Sequence, residues 1–488
     1  MKSSNFDLPA FIQIATKKLT QYLQNSEKGV GKVLHQAPAN DLANNLQISH
    51  WIKQGGLDEA GFSEFLDRYL ENTQHLHHPA YIGHQVSVPH PIAGISGLIN
   101  GIVSNPMGIY EMGPAAAMIE RVVVNWLLDK VGWFNGADWS NCFWQAGSGG
   151  GVLTHGGSIA NLTAMSAARA VIAPDAWTEG TPSDLVVLAP AVAHYSISRA
   201  ISIMGMGKHA VIPVPVDEQE RLRPEALVSV YQKVISEGKR VMAVVANACA
   251  TATGLYDPLD EVGDFCEANQ LWYHVDGAHG ASALLAPEEF HLMKGAKRAT
   301  SIIWDAHKML QVESLCAAVL YRDFQHLGNA FQQKGSYLFH QKEELGFDTL
   351  PYTVECTKAG LGIRLFWMLA VAGEKGMGEF VHHQYQLTRE FYTIINSHPD
   401  FYCPYVPESN ILCFEYTKYG RDNDFQLAIR NEVVKRGAFY ITSSEVQMVR
   451  YLRLTVMNQL TTTTHIENLL NEIENVASKL KKRKKKEL

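Results

Sequence analysis

The seven cysteines include no CxxC pair, and their number is odd. That argues against a disulfide framework. They read as reduced thiols, mostly core filler, in a cytoplasmic protein. No run of about twenty apolar residues is free of charged and turn residues, so no membrane span is expected. The opening residues, MKSSNFDLPAFIQIATKKL, lack the long apolar stretch of a secretory signal. A large excess of charge of one sign is also lacking. A formal net charge of -7 over 488 residues argues against a nucleic-acid binder. The basic end, KLKKRKKKEL, reads more simply as a solvated helix end than as a contact for an anionic surface. Internal repeats and low-complexity linkers are missing. So are an early GxGxxG fingerprint and a GxxxxGK[ST] loop, which removes the usual signatures of a nicotinamide dehydrogenase and of a P-loop enzyme.

What is there is an ordinary globular composition, 46% hydrophobic and 19% charged, long enough for two or three structural units. Residues 1–115 read as a helical N-terminal segment. Phe11, Ile14, Ala15, Leu19 and Tyr22 recur at helical spacing, and further helices are predicted over Gly61–Asn72 and Pro114–Val131. Residues 116–375 change character. Short apolar runs at Leu185–Ala189, Ala210–Val214, Val241–Asn247, Leu271–Val275, Ser301–Trp304 and Cys316–Tyr321 alternate with helical stretches. Runs rich in Val, Ile and Ala without polar alternation suit a mostly parallel sheet buried on both faces, hence an α/β domain. Residues 376–488 read as a smaller α+β domain: strands Asn410–Tyr416 and Tyr451–Val456, helices Phe425–Arg436 and His465–Lys479.

In such a sheet, ligands bind beyond the carboxyl ends of the strands. Four features fall there. The run Gly147–Ser158 is a glycine-rich loop leading into a helix, with Ser158 as N-cap; a helix start favours a phosphate, though a tight turn without ligand reads equally well. Asp276 follows an apolar strand and precedes Gly277 and Ala278, which leave room around its carboxylate, or else it caps the next helix. Lys308 sits after Ser301–Trp304 and before Met309 and Leu310. A lysine there is partly desolvated and nucleophilic, or else a surface lysine with a buried stem. His194 follows the Leu185–Ala189 strand; a lone histidine there is more often structural than catalytic. Together, phosphate loop, imidazole, carboxylate and amine are what pyridoxal phosphate requires. The phosphate needs a helix start, the ring nitrogen an anion, the aldehyde an amine, and the flat ring a planar neighbour.

These residues resemble the group II pyridoxal-phosphate-dependent amino-acid decarboxylases, whose members act on glutamate, cysteine sulfinate, aromatic amino acids, histidine or 2,4-diaminobutyrate. The resemblance runs from about Leu76 to Ile473. It rests on His78-Pro79, Tyr110-Glu111 with Pro114, Gly156-Gly157-Ser158 with Ala160-Asn161, His194-Tyr195-Ser196, His274-Val275-Asp276, Asp305-Ala306-His307-Lys308, and Leu452-Arg453 with Asn458. It implies an aspartate-aminotransferase-like fold type I, a carboxy-lyase activity and a homodimer with shared active sites. It also implies roles. Lys308 holds the cofactor as a Schiff base, Asp276 pairs with the ring nitrogen, and His194 stacks on the ring. Gly157, Ser158 and His307 lie near the phosphate, Thr251 and Ala278 close to the ring, and Thr353 reaches the neighbouring subunit's site. Arg453 meets the substrate carboxylate. Tyr337, in Gly335–Phe339, matches the tyrosine of a catalytic loop that protonates the carbon left after carbon dioxide departs. An aminotransferase or an oxidative variant would share Lys308 and Asp276, and a silent scaffold would share the fold; Tyr337 points to simple decarboxylation.

The match departs in places. Animal glutamate and cysteine sulfinate decarboxylases carry Phe-Phe-Asn-Gln where this chain has Tyr81-Ile82-Gly83-His84-Gln85, and Asn and Phe where it has Pro106 and Gly108. By the resemblance, Tyr81 and His84 line the substrate side chain. Cys249-Ala250-Thr251 stands for Gly-Thr-Thr, and His155 for a serine. The expected substrates are acidic: glutamate, aspartate, cysteine sulfinate or cysteate, with 2,4-diaminobutyrate and aromatic amino acids as alternatives. No metal is expected. The stretch His75, His77, His78, His84, His90 has no cysteine or carboxylate spacing to complete a site.

Overall fold

The computed structural model describes residues 6–141, 143–328, 330–331 and 346–487, with side chains described up to Arg483. The chain divides into two contact units. One comprises Gln85–Tyr385 with Pro407–Ser409; the other joins residues up to His84 with Gln386–Val406 and Asn410 onward.

The first unit is built on a seven-stranded sheet. Its strands are β1 (Gly150–Thr154), β2 (Leu185–Pro190), β3 (Val211–Val214), β4 (Arg240–Asn247), β5 (Tyr273–Asp276), β6 (Ser301–Asp305) and β7 (Ala317–Tyr321), in the order β1-β7-β6-β5-β4-β2-β3. From β3 across to β6 every pairing is parallel; β7 runs antiparallel to both β6 and β1. Strands β2, β5, β6 and β7 are buried throughout, which is why their sequences show no polar alternation. Each of the six predicted strands is present, within two residues at either end.

The seventh, β1, corrects the sequence expectation. Gly147–Ser158 is not a continuous loop: its centre pairs with β7 in register Gly150↔Tyr321 to Thr154↔Ala317. Glycine is a poor strand former, so local propensity hides this strand. Packing requires the glycines instead. A Cβ on Gly151 would lie 2.7 Å from the Val319 carbonyl oxygen. Ser158 is also not the cap of the following helix. That helix spans Gly157–Ile172 and is preceded by Gly156 at φ 104°, a conformation open to glycine.

The parallel strands deliver their carboxyl ends to one edge. Asn247 and Asp276 are direct partners across β4 and β5, and Asp276 pairs with Ile303 on β6. Beneath this edge, a buried ion pair between Lys358 and Glu120 ties a late segment to β1. Lys358 Nζ donates to the Leu153 carbonyl at 2.7 Å, and Glu120 accepts from the Leu153 N–H at 3.2 Å. Removing one partner leaves the other charge buried. Lys358→Met is therefore expected to cost about 3–5 kcal/mol, with the double variant Lys358→Met/Glu120→Met recovering most of it. Thermal unfolding of the three proteins checks this; a single variant as stable as the parent refutes it.

The second unit holds a four-stranded antiparallel sheet of β8 (Phe401–Tyr402), β9 (Ile411–Tyr416), β10 (Thr442–Val446) and β11 (Val449–Thr455), ordered β10-β11-β9-β8. Helices Asn423–Arg436 and Thr463–Glu487 belong to the same unit. Its core gathers Tyr81, Ile82, Phe391, Phe414, Leu452, Leu454, Ile466 and Ile473. Among the described residues, five cysteines are buried and Cys356 is exposed. No helix among them is long and apolar enough to cross a membrane.

Candidate active site

A cavity of about 290 Å³ opens at the strand ends of the first unit. Its lining brings together Gly157, Ser158, His194, Thr251, Asp276, Ala278, His307 and Lys308, eight of the expected site residues. Lys308 lies three residues beyond the end of β6, and its Nζ is 3.2 Å from Asp305 Oδ2. The same oxygen is 3.6 Å from His307 Nε2. The amine therefore has a carboxylate partner that the desolvation argument from sequence does not anticipate. Gly157 allows this arrangement: a Cβ there would sit 2.9 Å from Asp305 Oδ1.

Asp276 ends β5. Its Oδ2 accepts from Asn161 Nδ2 at 3.1 Å, and its Oδ1 accepts from the Ala278 N–H at 3.3 Å. His194 caps the helix Tyr195–Ile203 by accepting the Ser196 N–H at Nδ1. Burial pushes His194 below the ordinary histidine value; Asp276 pulls upward against it, and Lys308 adds to the drop. His274, fully enclosed in β5, is driven by burial down to about 4, with Asp276 opposing.

That depression has a stability consequence. Between the ordinary histidine value of 6.5 and about 4, the unfolded chain takes up a proton at His274 that the folded chain refuses. Stability therefore falls as pH drops through this window, by up to about 1.4 kcal/mol per pH unit from this group. The variant His274→Gln is expected to show a shallower decline of Tm from pH 6.5 to 4 than the parent. Equal slopes would contradict the assignment.

The cavity is suited to a polar, anionic occupant. A sixteen-residue helix begins at its wall, where first-turn N–H groups favour an anion. Asn247 Nδ2, a donor, is buried at the same wall without a hydrogen-bond partner; so is Asp305 Oδ1, an acceptor that calls for a donor on the occupant. Helix start, paired amine, fixed carboxylate and half-buried imidazole fit pyridoxal phosphate. When bound, that cofactor supplies an aldehyde for an amine and a ring that accepts the electrons freed when a Cα–carboxylate bond breaks.

A scan of family models matches residues 70–417 to the pyridoxal-dependent decarboxylase conserved domain. The chain belongs to the pyridoxal-dependent decarboxylase family. It is 30% identical over 404 residues to cysteine sulfinic acid decarboxylase of Mus musculus, covering 79% of each chain. It is 29% identical over 384 residues to the acidic amino acid decarboxylase GADL1 of Homo sapiens, covering 75% of this chain and 71% of that one. The crystal structure of mouse CSAD superposes with a TM-score of 0.87 at 25% identity, over 96% of this chain and 99% of that one. The sequence expectations of a fold type I α/β architecture, an amino-acid carboxy-lyase and pyridoxal phosphate as cofactor thus stand.

None of the remaining expected residues that the structure describes is among those lining the cavity. Thr353 is buried and is not among the residues lining the cavity; its hydroxyl accepts the Glu355 N–H at 3.3 Å, and Glu355 in turn pairs with His155 on the cavity wall. In the second unit, Tyr81 stacks on Tyr440 with ring centroids 5.5 Å apart, and His84 approaches the same ring at 5.6 Å. Arg453 on β11 is buried there; it donates to Thr455 Oγ1 at 3.0 Å and to the Gly83 carbonyl at 3.4 Å. Tyr337 lies outside the described residues. The histidines of the 75–90 stretch include turn and cap acceptors: His78 Nδ1 takes the Ala80 N–H, and His90 Nδ1 the Ile92 N–H. Sequence reasoning missed Asn161, Ser196, Asn247 and Asp305 as working members of the site. Asn161, Ser196 and Asp305 stood within quoted motifs, and Asn247 ends a predicted strand, which was the available signal.

Proposed function

We propose that this chain removes the α-carboxylate of an acidic L-amino acid, releasing carbon dioxide and an amine. The carrying observation is the convergence of Lys308, Asp276 and His194 on one cavity beside a helix start. In this reading Lys308 anchors the cofactor aldehyde and later frees the product amine. Asp276 holds a proton on the ring nitrogen by its negative charge. His194 lies against the ring face. Gly157, Ser158 and His307 receive the phosphate, and Thr251 and Ala278 border the ring. By the family resemblance, Arg453 takes the substrate carboxylate, Tyr81 and His84 neighbour its side chain, and Tyr337 delivers a proton to Cα. The acidic substrate class is supported by the two decarboxylase relatives, which are named for cysteine sulfinate and for acidic amino acids.

A homodimer fits the exposed face of the helix Pro91–Val103. Ile95, Leu98 and Ile102 recur at helical spacing and are about half exposed or more. In that dimer Thr353 serves the partner's site. The free thiols suit a reducing compartment such as the cytosol.

A panel of cysteine sulfinate, cysteate, aspartate, glutamate, 2,4-diaminobutyrate and aromatic amino acids, read by carbon dioxide and product amine, tests the proposal. An acidic substrate is expected to give the highest kcat/KM. Preference for a basic or aromatic one overturns the substrate class, and keto acid or ammonia in place of amine overturns the reaction.

A further inference from the structure

From the cavity wall into the sheet behind it, side chains of β5 and β6, of two helices, of the helix cap His194 and of Trp272 before β5 form one continuous hydrogen-bonded chain. Trp272 Nε1 lies 2.9 Å from Ser301 Oγ, and Ser301 Oγ 2.8 Å from His274 Nδ1. His274 Nε2 lies 2.9 Å from Asn161 Oδ1. Asn161 Nδ2 then reaches both Asp276 Oδ2 at 3.1 Å and Ser196 Oγ at 2.8 Å, and Ser196 Oγ lies 2.7 Å from His194 Nδ1.

The direction of every proton in this chain follows from donor chemistry. An indole N–H only donates, and an ionised carboxylate only accepts. Asp276 therefore demands the amide nitrogen of Asn161, which turns Oδ1 toward His274. His274 must donate from Nε2. Burial keeps its ring neutral, so Nδ1 accepts from the Ser301 hydroxyl, whose oxygen takes the Trp272 proton. At the other end, the Ser196 backbone N–H already donates to His194 Nδ1, so that nitrogen is an acceptor and the ring proton of neutral His194 resides on Nε2.

We infer that Asn161 is a positioning residue that orients two cofactor-facing groups at once: the Asp276 carboxylate directly, and the His194 imidazole through Ser196. A neutral histidine inside the sheet locks the amide's orientation. Asn161 is 1% exposed and its side-chain nitrogen and oxygen both have partners in this network, so it has no freedom to turn. The inference rests on the proposed role of Asp276 at the ring nitrogen.

The test uses the full chain stripped of cofactor and titrated with pyridoxal phosphate, or with its 1-deaza analogue, in which carbon replaces the ring nitrogen. Dissociation constants are read from quenching of tryptophan fluorescence. The parent is expected to prefer pyridoxal phosphate. In the isosteric variant Asn161→Asp, which sets a second carboxylate against Asp276, that preference is expected to fall about tenfold or more, the scale of one lost charge-assisted hydrogen bond. Affinity for the deaza analogue is expected to stay within about twofold to threefold of the parent. Asn161→Leu supplies the same comparison should the aspartate variant not fold. Histidine nitrogen chemical shifts provide an independent readout: Nε2-protonated His194 in the parent and in Ser196→Ala, where the backbone N–H still donates to Nδ1, with the Nδ1 resonance displaced in the variant by loss of the hydroxyl donor. A purely structural role would lower affinity for both ligands alike and leave their ratio unchanged, which would overturn the inference. A parent that does not distinguish the two ligands would instead overturn the role given to Asp276.

Discussion

Replacing Lys308 with alanine is expected to reduce carbon dioxide release by at least about 10³-fold, the largest effect of any single change in this chain. The amine is the group on the cavity wall whose chemistry matches an aldehyde, and it stands 3.2 Å from Asp305, whose negative charge orients it. In the proposed reading, alanine removes both the covalent anchor and the group that frees the product. The carboxylate of Asp305 stays behind with its neighbour His307 at 3.6 Å. Two measurements check this: amine production under saturating pyridoxal phosphate, and borohydride fixation followed by peptide mapping. In the parent, the cofactor is expected on the peptide that contains Lys308. Turnover within tenfold of the parent, or fixation at another lysine, would sink the assignment.

Asp276→Asn carries the second largest expected effect. The substitution preserves shape and removes a single negative charge at the end of β5. Without that charge nothing in the proposed arrangement favours a proton on the ring nitrogen, and the ring's capacity to accept electrons declines. A fall in kcat of about 10²–10³-fold is expected, in the range found when one preorganised electrostatic contact is deleted from an active site. The KM for the amino acid should change far less, because in this reading Asp276 does not touch the substrate. A variant with kcat within threefold of the parent would refute the role.

Much of the larger sheet is legible in the sequence because its strands are buried on both faces and spell themselves out in Val, Ile and Ala. Asp276, Lys308 and His194 are legible for a related reason: each follows such a strand. Three strands are not. β1 is written in glycines, and only the pairing with β7 and the close approach to Val319 explain it. β10, Thr-Ser-Ser-Glu-Val, is half exposed at a sheet edge, and β8 has only two residues. Asn161 escapes for a different reason. Its partners His274 and Asp276 are 113 and 115 positions away, and no local pattern encodes a contact at that separation. Asp305 is adjacent to a strand but its value lies in the pair with Lys308, which depends on how the chain turns after β6.

Every described residue lining the cavity falls between positions 155 and 315, whereas Tyr81, His84, Tyr440 and Arg453 belong to the other contact unit. In the proposed reading this separates two traits along the gene for directed evolution. A combinatorial library restricted to codons 81–84 and 440–453 can vary the proposed substrate neighbours while every codon for a described cavity-lining residue is inherited unchanged.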